Sequence, residues 1–255
     1  MEFRTLYRRA ALIAAGGLMA VASQSASAAD ILTFNLATGN SPQIGTMGNV
    51  RTFTADDGVS KVAVSAYTAV PDGKGGYTLQ ASYVGSYGNG LGVTSTLKDV
   101  NSQSHTVDNE LGYDFLVFQF DKTVTVDLAH FNVFSVAGQG DSDATIGFGQ
   151  SNAAFGSALG LTSWGDVTSL FSTMQDNLGG ASDATRAINP GAKSGNLLFV
   201  AAGLLSKPSE VDNFKISSLT ATPAVPEPAS WAMMIGGFCL VGVTMRRSAT
   251  RVAFA

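Results

Sequence analysis

The sequence predicts an all-β exported domain, an antiparallel β-sandwich of jelly-roll-like character. An N-terminal signal peptide precedes it and a single C-terminal transmembrane helix follows. Three observations carry this. Short runs alternate apolar and polar residues at period two, the spacing of a half-buried strand. Clusters of Gly, Asn, Asp and Ser separate the runs, as turns require. Between the flanking segments, 15 of the 17 acidic residues are Asp, which favours turns and caps over helix interiors.

The chain opens with Arg4, Arg8 and Arg9 ahead of an uncharged run over residues 10–22, and Ala26-Ser27-Ala28 then supplies an A-x-A site. A basic start, a short apolar stretch and small residues at the cut describe a secretory signal over residues 1–28. The run is short for a membrane span of about 20 residues. Ala26 and Ala28 are the expected cleavage determinants, with signal peptidase and the secretion machinery as partners. The one cysteine, Cys239, falls outside residues 29–222. The exported domain therefore has neither a disulfide nor a cysteine-built zinc site, and must stand on core packing.

Within residues 29–222 the first strands are expected at 31–36 and 50–54. Val62, Val64, Ala66, Thr68 and Val70 then alternate with Lys61, Ala63, Ser65, Tyr67 and Ala69. The turn signal of residues 71–76 leads to Tyr77, Leu79, Ala81 and Tyr83, again at period two, so this is a hairpin with a long loop. Residues 88–92 are glycine-rich and read as a loop or bulge, lacking the strand–turn–helix frame of a phosphate cradle. Residues 114–120 are apolar on both faces, as in a central strand. Val124, Val126 and Leu128 continue the alternation, but Phe131 and Val133 fall on the other phase, and a bulge around Ala129-His130 accounts for the slip. Val167, Leu170, Phe171 and Met174 have helical spacing, which predicts a helix over residues 166–178 capped by Asp166. Strands at 196–200 and 214–219 complete the set.

The formal charge is -4 with a pI near 5.0. Each end carries a net +2, so the middle of the chain, with 9 basic and 17 acidic residues, stands at -8. Such a domain has no basic footprint for phosphates, which excludes nucleic acid as a partner. Nucleophilic catalysis finds little support. No G-x-S-x-G elbow occurs and there are two histidines, His105 and His130. Gly140-Asp141-Ser142 and Asp127-Leu128-Ala129-His130 resemble the two halves of the GDS-type esterase signature, but in reversed order and with Asp143 where that family has Leu. His130 sits inside a strand pattern, where an imidazole is usually structural. Oxygen-rich turns leave one cofactor in view. Asp141 and Asp143 are candidate calcium ligands, since a hard cation takes oxygen donors, although the loop has neither the spacing nor the terminal Glu of an EF-hand. Asp108 and Asn109 form a second oxygen pair. No other cofactor is expected, and spacing alone does not locate a glycosidase carboxylate pair.

Residues 223–228 form a Pro-rich linker, and residues 229–245 carry no charge. A helix over that run is about 26 Å long, close to the minimum for a span. Arg246 and Arg247 stop it and place the tail of residues 246–255 in the cytoplasm, while Trp231 stands at the interfacial position. The string Val225-Pro226-Glu227-Pro228 followed by Ala229-Ser230-Trp231-Ala232 resembles the PEP-CTERM sorting signal in its PEPxxWA variant. The resemblance covers about the last 25 residues, with Cys239 where Gly often follows the Phe. It implies a Gram-negative secreted protein whose partner is an exosortase acting near Pro226, Glu227 and Pro228, with Trp231 and Ala232 completing the motif. It also implies a cell-surface or extracellular-matrix protein associated with extracellular polysaccharide, and with no convincing catalytic set in the sequence the expectation is a non-catalytic one. The alternatives on the same sandwich are a carbohydrate-active enzyme built on Asp pairs and a lectin-like glycan-binding module. Residues 105–109 and 211–216 further resemble segments of β-sandwich domains in other proteins bearing this tail.

Overall fold

The computed structural model describes residues 30–39, 46–95, 105–135, 140–205, 211–224 and 234–242. The signal residues Ala26 and Ala28, the motif residues Pro226, Glu227, Pro228, Trp231 and Ala232, and the stop residues Arg246 and Arg247 lie outside the described residues. Asp30–Ala224 forms one compact unit. Beyond it, residues 234–242 are helical, with Met234, Ile235, Phe238, Leu240 and Val241 exposed. Among the described residues no helix is long and apolar enough to cross a membrane.

Among its described residues the compact unit is all-β, as its alternation predicts, with one short helix. Its elements are β1 (Leu32–Asn35), β2 (Val50–Thr54), β3 (Lys61–Pro71), β4 (Tyr77–Tyr87), β5 (Gly90–Thr94), β6 (Val107–Asp108), β7 (Tyr113–Val133), β8 (Ala144–Gly149), α1 (Trp164–Leu170), β9 (Met174–Asn177), β10 (Ala184–Ala187), β11 (Ser194–Ala202) and β12 (Asn213–Pro223). The β3–β4 hairpin is as expected. Its loop is tied by Asp72, whose Oδ1 accepts from the backbone of Lys74 and Gly76 at 2.7 and 2.9 Å.

The strands form one twelve-stranded sheet that closes on itself. The path β12-β5-β4-β3-β7 returns to β12 through a direct β12–β7 pairing, which makes a barrel-like ring with the other strands outside it. The 21-residue strand β7 makes this possible. Its first part pairs with β3 and β11, and its second part pairs with β12. A strand serving two walls has to bend, and bulges supply the bend. Ser217 on β12 is the extra residue between the pairs Ile216↔Phe131 and Ser218↔His130, and Asp127 on β7 is the extra one between Leu128 and Val126. The β7 phase slip thus lies at Asp127, two residues before Ala129-His130. Leu128 turns out to be exposed, and Ala129 and Phe131 take the inward positions.

Two cores follow from the alternation along β7. Leu116, Phe118 and Phe120 point into the main core with Phe34, Val64, Val200, Phe214 and Ile216. Phe115 and Val117 point the other way, into a second core with Phe199, Leu197, Val167 and Phe171. That is why residues 114–120 are apolar on both faces.

The helix is shorter than its spacing predicts. Ser163 is the N-cap, and Asp166 is the third helical residue of a capping box. The Asp166 carboxylate accepts from the backbone of Thr162 and Ser163 and from both their hydroxyls, which holds its pKa down at about 2. Val167 and Phe171 complete the buried face, and Phe171 leaves helical geometry at φ -118, ψ 61. Met174, read as the next helical turn, instead opens β9 and pairs with Gly147 of β8.

Candidate metal centre

The barrel brings three acidic residues from two distant segments together. The approach to β8 carries Asp141 and Asp143, and the approach to β12 carries Asp212. The segments meet through a parallel bridge between Asp141 and Asp212, reinforced by Asn213 N donating to Asp141 O at 2.9 Å. One carboxylate oxygen from each of Asp141, Asp143 and Asp212 lies within 4.8 Å of the other two. Asp212 is 1% exposed and Asp143 9%. Calcium–oxygen bonds of about 2.3–2.6 Å set opposed ligands about 5 Å apart, so this spacing suits one such ion.

Each acid is positioned by its own partners. Asn109 Nδ2 donates to Asp212 Oδ2 at 2.8 Å, and Asp212 N donates back to Asn109 Oδ1 at 3.0 Å. Asn109 is delivered by β6, whose Asp108 pairs with Asn213. Thr106 ties the same strands together, its hydroxyl donating to Asp108 Oδ2 and to Asn213 Oδ1. Asp143 Oδ1 accepts from Gly179 N, and Asp141 Oδ1 from Ser142 N, both at 2.6 Å.

Among the described residues, Arg186 of β10 is the nearby cation. Its guanidinium donates to Ser142 Oγ and Ser142 O at 2.7 Å and to Asn177 Oδ1 at 3.0 Å, and it lies 3.9 Å from the centre of the Phe131 ring. Burial lowers its pKa, and the charges of Asp143 and Asp141 oppose that shift. Arg186 therefore latches the 140–143 loop while its N–H groups engage Ser142 and Asn177.

Sequence reasoning found Asp141, Asp143 and the Asp108-Asn109 pair, and the structure adds Asp212 and Arg186. A signal for Asp212 was present. Val107-Asp108-Asn109 and Val211-Asp212-Asn213 repeat the same tripeptide, and the repeats pair antiparallel.

The esterase-like halves do not assemble into a serine–histidine pair. Ser142 Oγ donates to Gly180 O and accepts from Arg186, while His130 Nδ1 pairs with Thr185 Oγ1 at 2.7 Å. Tyr67, Tyr77, Tyr113 and Trp164 gather at the edge of the second core. Tyr77 meets Tyr113 at 88° and Trp164 at 57°, so these rings do not lie in one plane. A depression of about 80 Å³ lies beside Tyr67, Ser65 and Gln119. The chain matches no known protein family, no curated protein and no solved structure.

Proposed function

We propose that this is an exported, non-catalytic cell-surface or matrix protein, sorted by an exosortase through its C-terminal tail and associated with extracellular polysaccharide. The observation that carries the reading is the ordered tail: Pro226-Glu227-Pro228, then Trp231-Ala232, an uncharged run, and Arg246-Arg247. The helical conformation of residues 234–242 and their exposed apolar side chains support it. The two prolines fix φ and remove backbone donors, which favours an extended segment that a processing enzyme can grip. The signal peptide of residues 1–28 takes the chain to the membrane, and the jelly-roll-like sandwich is the cargo.

Replacing Pro226, Glu227 and Pro228 together with alanine tests this in a host that carries an exosortase. The apolar run and its arginine stop remain, so membrane insertion is expected to survive. Maturation is expected to fail, because an alanine-rich segment extends the helix upward and hides the extended site. Fractionation and mass of the mature C-terminus check it: uncut precursor accumulates in the inner membrane. Trimming and release equal to the parent's would leave the tail as a plain anchor.

Calcium at Asp141, Asp143 and Asp212 is a second part of the reading, favoured by the convergence of their oxygens. An ion that binds the native state alone raises its stability by mass action. Thermal melts are expected to shift upward with calcium relative to chelator, and Asp143→Asn to remove the shift. Coincident melts would assign the three acids to a structural cluster balanced by Arg186.

A further inference from the structure

A second polar group is buried in β12. Lys215 is 4% exposed, and its ammonium faces aromatic rings, with Nζ 4.3 Å from the centre of Tyr87 and 4.5 Å from that of Phe134. No carboxylate among the described residues acts on it. Burial alone lowers its pKa to about 8, so at pH 7 most of the amine remains charged. A buried charge without a counter-charge is costly.

Two buried hydroxyls share its surroundings. Tyr87 Oη and Thr94 Oγ1 face one another, yet neither completes a well-formed hydrogen bond. Native proteins rarely leave such groups unsatisfied, and a bound ion is one way of satisfying them. The strand register explains why all three groups meet. Gly85 of β4 pairs with Gly92 of β5, and Thr94 is two residues on, on the same face. The Tyr87 side chain folds back across Gly85, and Lys215 Cε passes 3.2 Å from the place a Cβ of Gly92 would take. Arg51 adds positive charge toward Tyr87 while bonding the Tyr83 hydroxyl, and the His105 ring lies 4.3 Å from that of Tyr87, tilted by 40°.

We propose that Lys215, Tyr87 and Thr94 form a buried site for one small monovalent anion of halide size. The three groups can all donate, the neighbouring charge is positive, and an acceptor among them satisfies the set. Thr94 and Lys215 are almost wholly buried, which favours the smallest anions. The Lys215 ammonium, which no carboxylate among the described residues meets, sets the charge.

The test uses the full-length chain in mild detergent at pH 7. Thermal melts are compared in sodium chloride and in sodium gluconate at equal ionic strength. Chloride is expected to raise Tm by roughly 2–4 °C over gluconate, with bromide doing the same. Thr94→Val keeps the shape and removes one donor, and Lys215→Met removes the charge; both are expected to lose the increment. The ³⁵Cl NMR line of the parent chain is expected to broaden and to sharpen again as bromide competes. Coincident parent melts in the two salts, or variants that keep the increment, would overturn the proposal. If both variants fail to fold, the parent's chloride line decides: an unbroadened line overturns the site.

Discussion

Gly92→Ala is expected to destabilise the β-domain by at least about 3 kcal/mol, enough to unfold a marginal domain near physiological temperature. Gly92 lies in β5, fully buried, where the strand approaching β6 crosses it. A Cβ there would fall on the carbonyl oxygen of His105, with the His105 carbonyl carbon at 2.9 Å and Lys215 Cε at 3.2 Å. The lysine stem could give, but the carbonyl could not. It belongs to backbone held next door by Val93 N donating to Thr106 O at 3.3 Å. Relief therefore means moving β5 away from β6 and β12, which opens the ring where a single β5–β12 pair, Ile216↔Leu91, closes it. Gly58→Ala is the control. Its φ is +71° but nothing lies within 4 Å of the added methyl, so only backbone strain of about 1–2 kcal/mol is expected. Urea denaturation followed by far-UV circular dichroism compares the two. If Gly92→Ala costs no more than Gly58→Ala, the close crossing at β5 is not what the packing requires.

What was legible in the sequence follows from which forces are local. Alternation records burial one residue at a time, so the β3–β4 hairpin and the two-faced first part of β7 could be read directly. Closure of the ring could not. It depends on β12 pairing with β7 about 90 residues earlier in the chain, and no local pattern encodes a partner. The bulge was visible as a phase slip, but its place was not, because Leu128 is apolar and yet exposed. The helix was overextended for the opposite reason: Met174 has helical spacing from Phe171, but pairing with β8 claims it for a strand. The acidic site was half legible. Asp141 and Asp143 stand two positions apart in the sequence, whereas Asp212 joins them only through the bridge between two loop segments. Lys215 gave no warning at all, since a lysine in a strand normally faces water.

Phe199→Ala is expected to cost about 3–5 kcal/mol and, beyond that, to release α1. Phe199 sits on β11 between β7 and β8, opposite Val117 on one side and Gly147 on the other. Its ring is fully buried and lies 4.9 Å from the centre of Phe115 and 5.4 Å from that of Phe171. Gly147 makes the room: a Cβ there would stand 3.3 Å from the Cβ atoms of both Phe199 and Phe171. The strands around the ring are pinned by their ladders and cannot collapse into the space it leaves. The cavity therefore opens beneath Phe171 and the helix that precedes it. α1 has seven residues, far below the length at which a helix persists alone, so its capping box cannot replace lost packing. Two readouts should separate. Urea denaturation reports the global loss, with Phe199→Leu keeping most of the stability because much of the volume is retained. Hydrogen exchange reports the local one: the amides of Val167 and Phe171 should exchange far faster in Phe199→Ala, while those of β3 and the first part of β7 should follow only the global change. If the Val167 and Phe171 amides also follow only the global change, α1 is held by something other than the second core. The tilted stack of Phe115, Phe199 and Phe171 would then be filler, not the anchor of the helix.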